Sequence, residues 1–446
     1  MLASERNLIR TSSGVCGWPF GTKEVTASMR WTRILPFLAI GLGLATLAVH
    51  TTDLRPPWLT SNDFTPDYVS AKAWMKGSEP YQTVPELIGR YLGLKTPYFD
   101  ISPPDQINSH PPILVVLTAP FALLPFRAAR TLWFSLEILM MAAAVAWFSF
   151  ELGWSKLVSA AAGLGLLALP VAQLNLQIGQ WNGFLIVLLV GAWVLLRRER
   201  DAAAGSLLGI ATAMRFFPVF MVVPLLRARR YRAAVTLVSV SIVASLAGVA
   251  AVGMHSTRLF LRGAPADTAF WRAHPANSSL WGVIYRWMVK SEWRPRAPSW
   301  SAAALALGLL AIAACVLAAS RTPSRTARDR FWEAVPWMLL ATPLAWQSHE
   351  LLVVPLAMIC FDRARQEGGI PPFTMLVGLA LVIGSTPRGI AVSIGGTMSN
   401  LRWFVLQLPT LGLLLVAASG WLFPRGTVKN EAPGAMSLQR SAAAPL

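Results

Sequence analysis

Ala233–Gly253 reads AAVTLVSVSIVASLAGVAAVG, twenty-one residues without a charge. A helix rising about 1.5 Å per residue needs about that length to cross a hydrocarbon core about 30 Å thick. Directly before it stands a basic run, Arg227 to Arg232, and after it a polar segment begins near His255. A basic flank marks the cytoplasmic end of a span, so this stretch predicts both a transmembrane helix and its direction. Further apolar runs recur at Ile34–His50, Leu157–Ile178, Asn182–Leu196, Ser301–Ser320, Pro371–Thr386 and Trp403–Pro424. The chain of 446 residues is 54% hydrophobic and 13% charged, whereas about a quarter of a soluble domain is charged. The sequence therefore predicts an all-α polytopic membrane protein, with about ten to thirteen membrane segments.

The formal charge of +18 does not indicate a nucleic-acid partner. Its arginines lie in short clusters between apolar runs, at Arg197, Arg198 and Arg200, at Arg227 to Arg232, at Arg321 to Arg330, and at Arg363 and Arg365. That is positive-inside patterning rather than a single basic face. Cys16, Cys315 and Cys360 have no ligand-type spacing, so neither a disulfide framework nor a metal site is expected. Many of the 19 tryptophans, Trp181 and Trp271 among them, stand at the ends of apolar runs, where interfacial anchors belong.

Residues 1–33 read as a cytoplasmic tail, within which Met29 is an alternative start. Residues 34–424 read as the membrane domain, opening with an uncleaved signal anchor, and 425–446 as a cytoplasmic tail rich in Ala, Pro and Ser. Two polar loops, 51–110 and 255–300, are expected on the extracytoplasmic face of a multi-pass inner (plasma) membrane protein. In the first, Tyr68–Lys76 has helical character and Pro85–Leu94 patterns as an interfacial helix. Two stretches conflict with simple alternation of spans. If Pro111–Phe126 crossed fully, the Arg197 cluster would fall outside; its four prolines make it the candidate re-entrant segment. Ala202–Leu226 has basic clusters at both ends, so a hairpin hinged at Arg215 is expected.

Five aspartates stand in the first loop: Asp53, Asp63, Asp67, Asp100 and Asp105. Asp63, just beyond the first span and before Phe64, suits either capping of the helix that follows or removal of a proton from a hydroxyl at the membrane surface. Asp67 is its rival. His349 stands between two apolar segments, where an imidazole suits contact with a phosphate; Glu350 beside it could tune it. Glu137 and Arg215 are ionisable groups inside apolar sequence, which either pair with each other or face a cavity. Arg215 also suits a lipid phosphate. In Asn175–Asn182 a polar interruption separates two apolar runs, and Gln180 and Asn182 there suit sugar hydroxyls, or helix capping. The sequence carries no nucleotide-binding loop and no Asp-x-Asp pair, so sugar chemistry would need a lipid-borne donor and no cofactor.

Several of these segments, in order, resemble glycosyltransferase family 87. They are Asp63-Phe64 through Tyr68, Ala71–Ala73 and Gly77–Tyr81, then His110-Pro111-Pro112 through Leu124-Pro125, and Gly179-Gln180-Trp181-Asn182. Gly205–Gly209 with Arg215 and Pro218, Asn277–Leu280 with Arg286, and Pro343–His349 complete the set. The resemblance spans roughly residues 34–420 and implies the type C membrane fold. It implies an inverting transferase that moves a sugar, mannose in the first instance, from a polyprenyl-phosphate donor to a glycolipid or glycan acceptor among membrane lipids. Some relatives use an arabinofuranosyl donor, which is the alternative; outside the class, a transporter or lipid flippase would share the many spans. Residue by residue, Asp63 falls on the family's base and His349 on its phosphate-contacting histidine. Arg286 and Arg215 follow as further phosphate partners, and Asp67, Tyr68, His110, Gln180, Asn182 and Asn277 as substrate contacts. Asp67 stands where Tyr is common, Arg215 where Lys is frequent, His110 where Tyr is frequent, and Ser278 where Gln is common.

Overall fold

The computed structural model describes residues 23–50, 63–94, 105–274, 276–289, 302–322, 327–366, 371–383 and 407–422. These form eighteen helices and no strand. The expected tails 1–22 and 425–446, parts of both polar loops, and Asp53, Asp100 and Arg388 lie outside the described residues.

The first helix, α1 (Lys23–His50), starts eleven residues before the apolar run, because the Lys, Glu, Ala and Met that precede it are good helix formers. Two short helices, α2 (Phe64–Met75) and α3 (Val84–Leu92), follow in the first loop. Next comes α4 (Pro112–Ala122), whose eleven residues reach about 16 Å at about 1.5 Å each, half a bilayer core. It lies along α2: Lys72 Nζ donates to the Ala122 carbonyl at 2.6 Å and the Tyr68 hydroxyl to Leu124 at 2.7 Å. These donors serve carbonyls that the end of α4 leaves unpaired. The chain turns at Leu123–Pro125 and continues into α5 (Phe126–Glu151).

The run Leu157–Ile178 is not one helix. It breaks into α6 (Lys156–Gly165), a 3-10 turn at Leu166–Ala168 and α7 (Pro170–Ile178), bent by 64°. Pro170 has no N–H to continue the ladder. Two side chains of α5 hold the end of α7, Arg130 donating to Leu176 O at 3.0 Å and Trp133 Nε1 to Gly179 O at 3.2 Å. Gly179 then takes φ +74°, the left-handed turn that ends the helix.

From there α8 (Asn182–Arg197) runs parallel to α5. Glu137 of α5 accepts from the Gly183 N–H at 2.9 Å, serving the start of α8, and Arg197 and Arg198 at its end meet Glu151 at 3.3 and 2.6 Å. An acid at a helix start and bases at its end both favour the peptide dipole. The next segment, α9 (Asp201–Met214), a 3-10 turn at Phe217–Met221 and α10 (Val222–Arg227), is the hairpin expected at Arg215. Its closure is visible in the Arg230–Asp201 ion pair at 3.1 Å, so both basic clusters share one end of the bundle.

Close packing joins α9 to α11 (Tyr231–Val252). A Cβ on Gly205 would sit 2.3 Å from the Ala233 carbonyl, and one on Gly209 2.7 Å from that of Leu237; this is the small-residue contact of membrane helices. Two polar-loop helices follow, α12 (Met254–Trp271) and α13 (Leu280–Val289), then α14 (Ala302–Arg321), α15 (Ala327–Ala341), α16 (Val354–Gln366), α17 (Phe373–Ile383) and α18 (Leu408–Leu422). A 3-10 segment, Gln347–Val353, leads into α16. Among the described residues α5, α11 and α14 are long and apolar enough to cross a membrane unaided. The remaining segments are shorter apolar or broken helices, so the chain is an all-α membrane protein whose irregular backbone is gathered at one place.

Candidate active site

That place begins at α2. Nine of its residues, from Phe64 to Ala73, are buried, and Phe64 rests on Trp133 at 5.0 Å between ring centroids. Trp133 meets Trp181 at 4.3 Å and Phe184 at 5.2 Å, an aromatic floor that fixes α2 against the α7–α8 break. Burial of several rings of this size, about 150–250 Å² each, outweighs the cost of ordering a short helix. Asp63 enters α2 with its backbone N–H on the Ile178 carbonyl at 2.7 Å. Its side chain makes no capping bond; it accepts instead from Gln180 Nε2. Gln180 Oε1 in turn accepts from an Arg215 guanidinium N–H at 2.7 Å.

The two candidate acids differ in access. Asp63 stays partly open, whereas Asp67 is wholly buried. Asp67 meets His110 Nδ1 at 2.6 Å and accepts from Asn108 Nδ2 at 3.1 Å and Trp181 Nε1 at 2.8 Å. Burial pushes Asp67 up, but the His110 charge, its hydrogen bond and that of Trp181 outweigh it and hold the carboxyl below its ordinary range. His110 is held down by burial and by the Arg215 charge against the pull of Asp67. Asp63 is pushed up from 3.8 to about 7, first by burial and then by the charges of Asp67 and Asp267, with Arg215 opposing. A carboxylate poised near neutrality is suited to take a proton from a hydroxyl.

His349 is buried, its Nδ1 accepting from the Trp346 backbone N–H at 3.2 Å, its ring 5.1 Å from Phe217 and its Nε2 without a partner. The charges that bear on it are those of Arg215 and His110. Buried polar atoms are normally paired, so the unpartnered Nε2 leaves hydrogen-bonding capacity at this point.

The structure thus joins Asp63, Asp67, His110, Gln180, Arg215 and His349. It gives the four other candidates, Arg286, Asn277, Tyr68 and Asn182, different partners. Arg286 donates to the carbonyls of His274 and Asn277 at 2.9 and 3.0 Å and to Gln407 Oε1 at 2.8 and 3.2 Å. Asn277 pins two loops together, donating to Arg272 and Pro343 carbonyls and accepting from the N–H groups of Ser279 and Ala345. The Tyr68 hydroxyl is spent on α4. Asn182 donates to Asn175 Oδ1 at 2.9 Å, beside Glu137, and keeps its own Oδ1 unpaired. Glu137 and Arg215 do not pair: the first serves α8 and Asn175, the second Gln180.

Sequence reading missed Asn108 and Asp267, and took Trp181 and Trp271 for interfacial anchors, whereas both are buried with their indole N–H groups on Asp67 and Asp267. Asp267 carried one signal, a tryptophan four residues on, one helical turn away. Among the described residues no group of three or more His, Cys, Asp or Glu is placed to hold a metal ion.

Comparison with protein families matches residues 108–343, more than half of the chain, to glycosyltransferase family 87. Comparisons with curated proteins and with solved structures found no match.

Proposed function

The chain belongs to glycosyltransferase family 87, and from that premise we propose an inverting transferase that moves mannose from a polyprenyl-phosphate donor to a glycolipid or glycan acceptor on the extracytoplasmic face of the membrane. The observation that carries this reading is the partly open Asp63, coupled through Gln180 to Arg215, whose charge also reaches His349 with its unpaired Nε2. Asp63 takes the proton of the acceptor hydroxyl while that oxygen attacks the anomeric carbon. The bond from that carbon to the phosphate oxygen breaks, and its electron pair leaves on the phosphate. His349 and Arg215 face the charge that develops there, a stabilisation that acts most strongly in the transition state. Gln180 holds base and cation in register. Arg286, Asn277 and Tyr68 support the loops rather than touch substrate, and Asp67 with His110 braces α2.

The two ends of the site argue for its direction. The basic clusters at the other end of the bundle favour the cytoplasm, which leaves this mouth facing outward. The test is transfer by membranes carrying the protein, from radiolabelled polyprenyl-phosphate mannose and, in parallel, the arabinofuranosyl donor. Asp63→Asn is expected to lower turnover by about 10²- to 10⁴-fold, and His349→Ala by a comparable factor, while Asp67→Asn retains measurable transfer. Undiminished transfer by Asp63→Asn would remove it as the base.

A further inference from the structure

Beyond the acid and the cations, contacts close a ring. It runs from Asp63 through Gln180 to Arg215, along the chain to Phe217, and on to His349 and Trp346. From Trp346 it passes to Trp271, whose ring is 5.8 Å away, then to Asp267, to Ser109 beside His110, and back to Asp67. The far side of this ring is built by α12. Its Ser256 donates to Glu79 at 2.8 Å, Phe260 rests on Tyr81 at 5.4 Å, and a Cβ on Gly263 would sit 2.3 Å from Ile107. One turn further, Asp267 meets the Ser109 hydroxyl and the Trp271 Nε1–H, the latter at 3.2 Å.

Trp271, His274 and Trp346 pack edge to face, with centroids 5.1–5.8 Å apart, and Trp346 keeps an open part. A carboxylate beside indole faces has the chemistry of sugar recognition. Its oxygens accept from neighbouring hydroxyls, and the apolar C–H face of a pyranose rests on a ring. We propose that Asp267, Trp271 and Trp346 form the subsite for the acceptor sugar, across the ring from Asp63. The inference rests on the glycosyltransferase reading above. An anion at this position repels the donor phosphate, which belongs with Arg215 and His349, so the subsite takes the neutral, hydroxyl-bearing partner. The field of Asp267 also reaches Asp63, so a hydroxyl held by the first is within the field of the second.

The experiment measures transfer kinetics of the full chain with acceptor and donor varied separately. Asp267→Asn and Trp346→Ala are expected to raise the acceptor KM about tenfold or more and to leave the donor KM in place, with Trp346→Phe restoring part of the loss. Asp63 is faced by Arg215, Asp67 and Asp267, and removing the like charge of Asp267 is expected to move the acid limb of the pH–rate profile to lower pH. A purely structural role leaves the KM split unmoved, whereas the limb reports only the charge of Asp267 on Asp63. An unchanged acceptor KM in both variants, with the wild type active, overturns the subsite alone. If the wild type transfers from no polyprenyl-phosphate sugar, the transferase reading falls. The subsite is then judged by saturation-transfer NMR with methyl α-mannoside, where binding lost in Asp267→Asn upholds it and binding absent from the wild type, or equal in the variant, overturns it.

Discussion

Four residues after Asp63 stands a second aspartate, and what separates them is where their lone pairs go. Asp67 spends them on His110, Asn108 and Trp181; Asp63 spends one on Gln180 and stays partly open. A base must be ionised to accept a proton, and Asp63 titrates near 7. Turnover at low acceptor is therefore expected to rise with pH through about 7 and then level, a limb absent from whatever residual activity Asp63→Asn retains. Stability carries the opposite sign. The native state binds the Asp63 proton more tightly than the unfolded chain, where an aspartate has its ordinary value of 3.8, so ionisation costs native stability progressively as pH rises from about 4 to about 7. Asp63→Asn is expected to raise the melting temperature in detergent, and by more at pH 8 than at pH 5; an equal shift at both would mean the burial cost is not there. The sequence favoured Asp63 with Asp67 as its rival, and it could not show the partners that separate an acid before a short helix from one within it.

Irregular elements, rather than the long spans, shape the site. Pro170 breaks the α6–α7 path, Gly179 ends α7 in the left-handed region, and Gln180 and Trp181 follow directly. Gly179→Ala places a Cβ where φ is +74°, a strain of about 1–2 kcal/mol. It is expected to displace Gln180 and lower turnover about 10- to 100-fold, since small misplacements are costly in a positioned site; kinetics and melting temperature measured together check this. Turnover unchanged beside a lowered melting temperature would leave Gly179 a folding role only. On the opposite wall, Gly205→Leu drives a side chain into the Ala233 carbonyl and is expected to part α9 from α11, lowering thermal stability and carrying Arg215 away from Gln180. The proline-rich α4 and the Arg215 hinge were legible as interruptions, because proline and a lone arginine stand out in apolar sequence. The split of Leu157–Ile178 was not, since its composition alone passes for one span.

For the whole molecule, the basic clusters are the feature from which a cytoplasmic end is expected. Arg197, Arg198 and Arg230 gather at one end through Glu151 and Asp201, and the ring of site residues gathers where α2, α7, α12 and the Gln347–Val353 segment meet. A cysteine at Lys76, an exposed position just after α2, is expected to react with an impermeant reagent from outside intact cells, and one at exposed Arg200 only after permeabilisation. Native Cys315 and Cys360 are buried, so with Cys16 replaced by serine a low background is expected. The reverse pattern would turn the protein over and place the mouth in the cytoplasm. By itself the sequence determined the all-α membrane class, the main apolar segments and the acid-bearing loop, because hydropathy, proline and charge act locally along the chain. Only the tertiary structure decided which acid stays open and that Gln180, 117 residues away, bridges it to Arg215. It alone brought Asp267 to the same ring, since a hydrogen-bond partner is chosen by packing in space and leaves no period or spacing in the sequence.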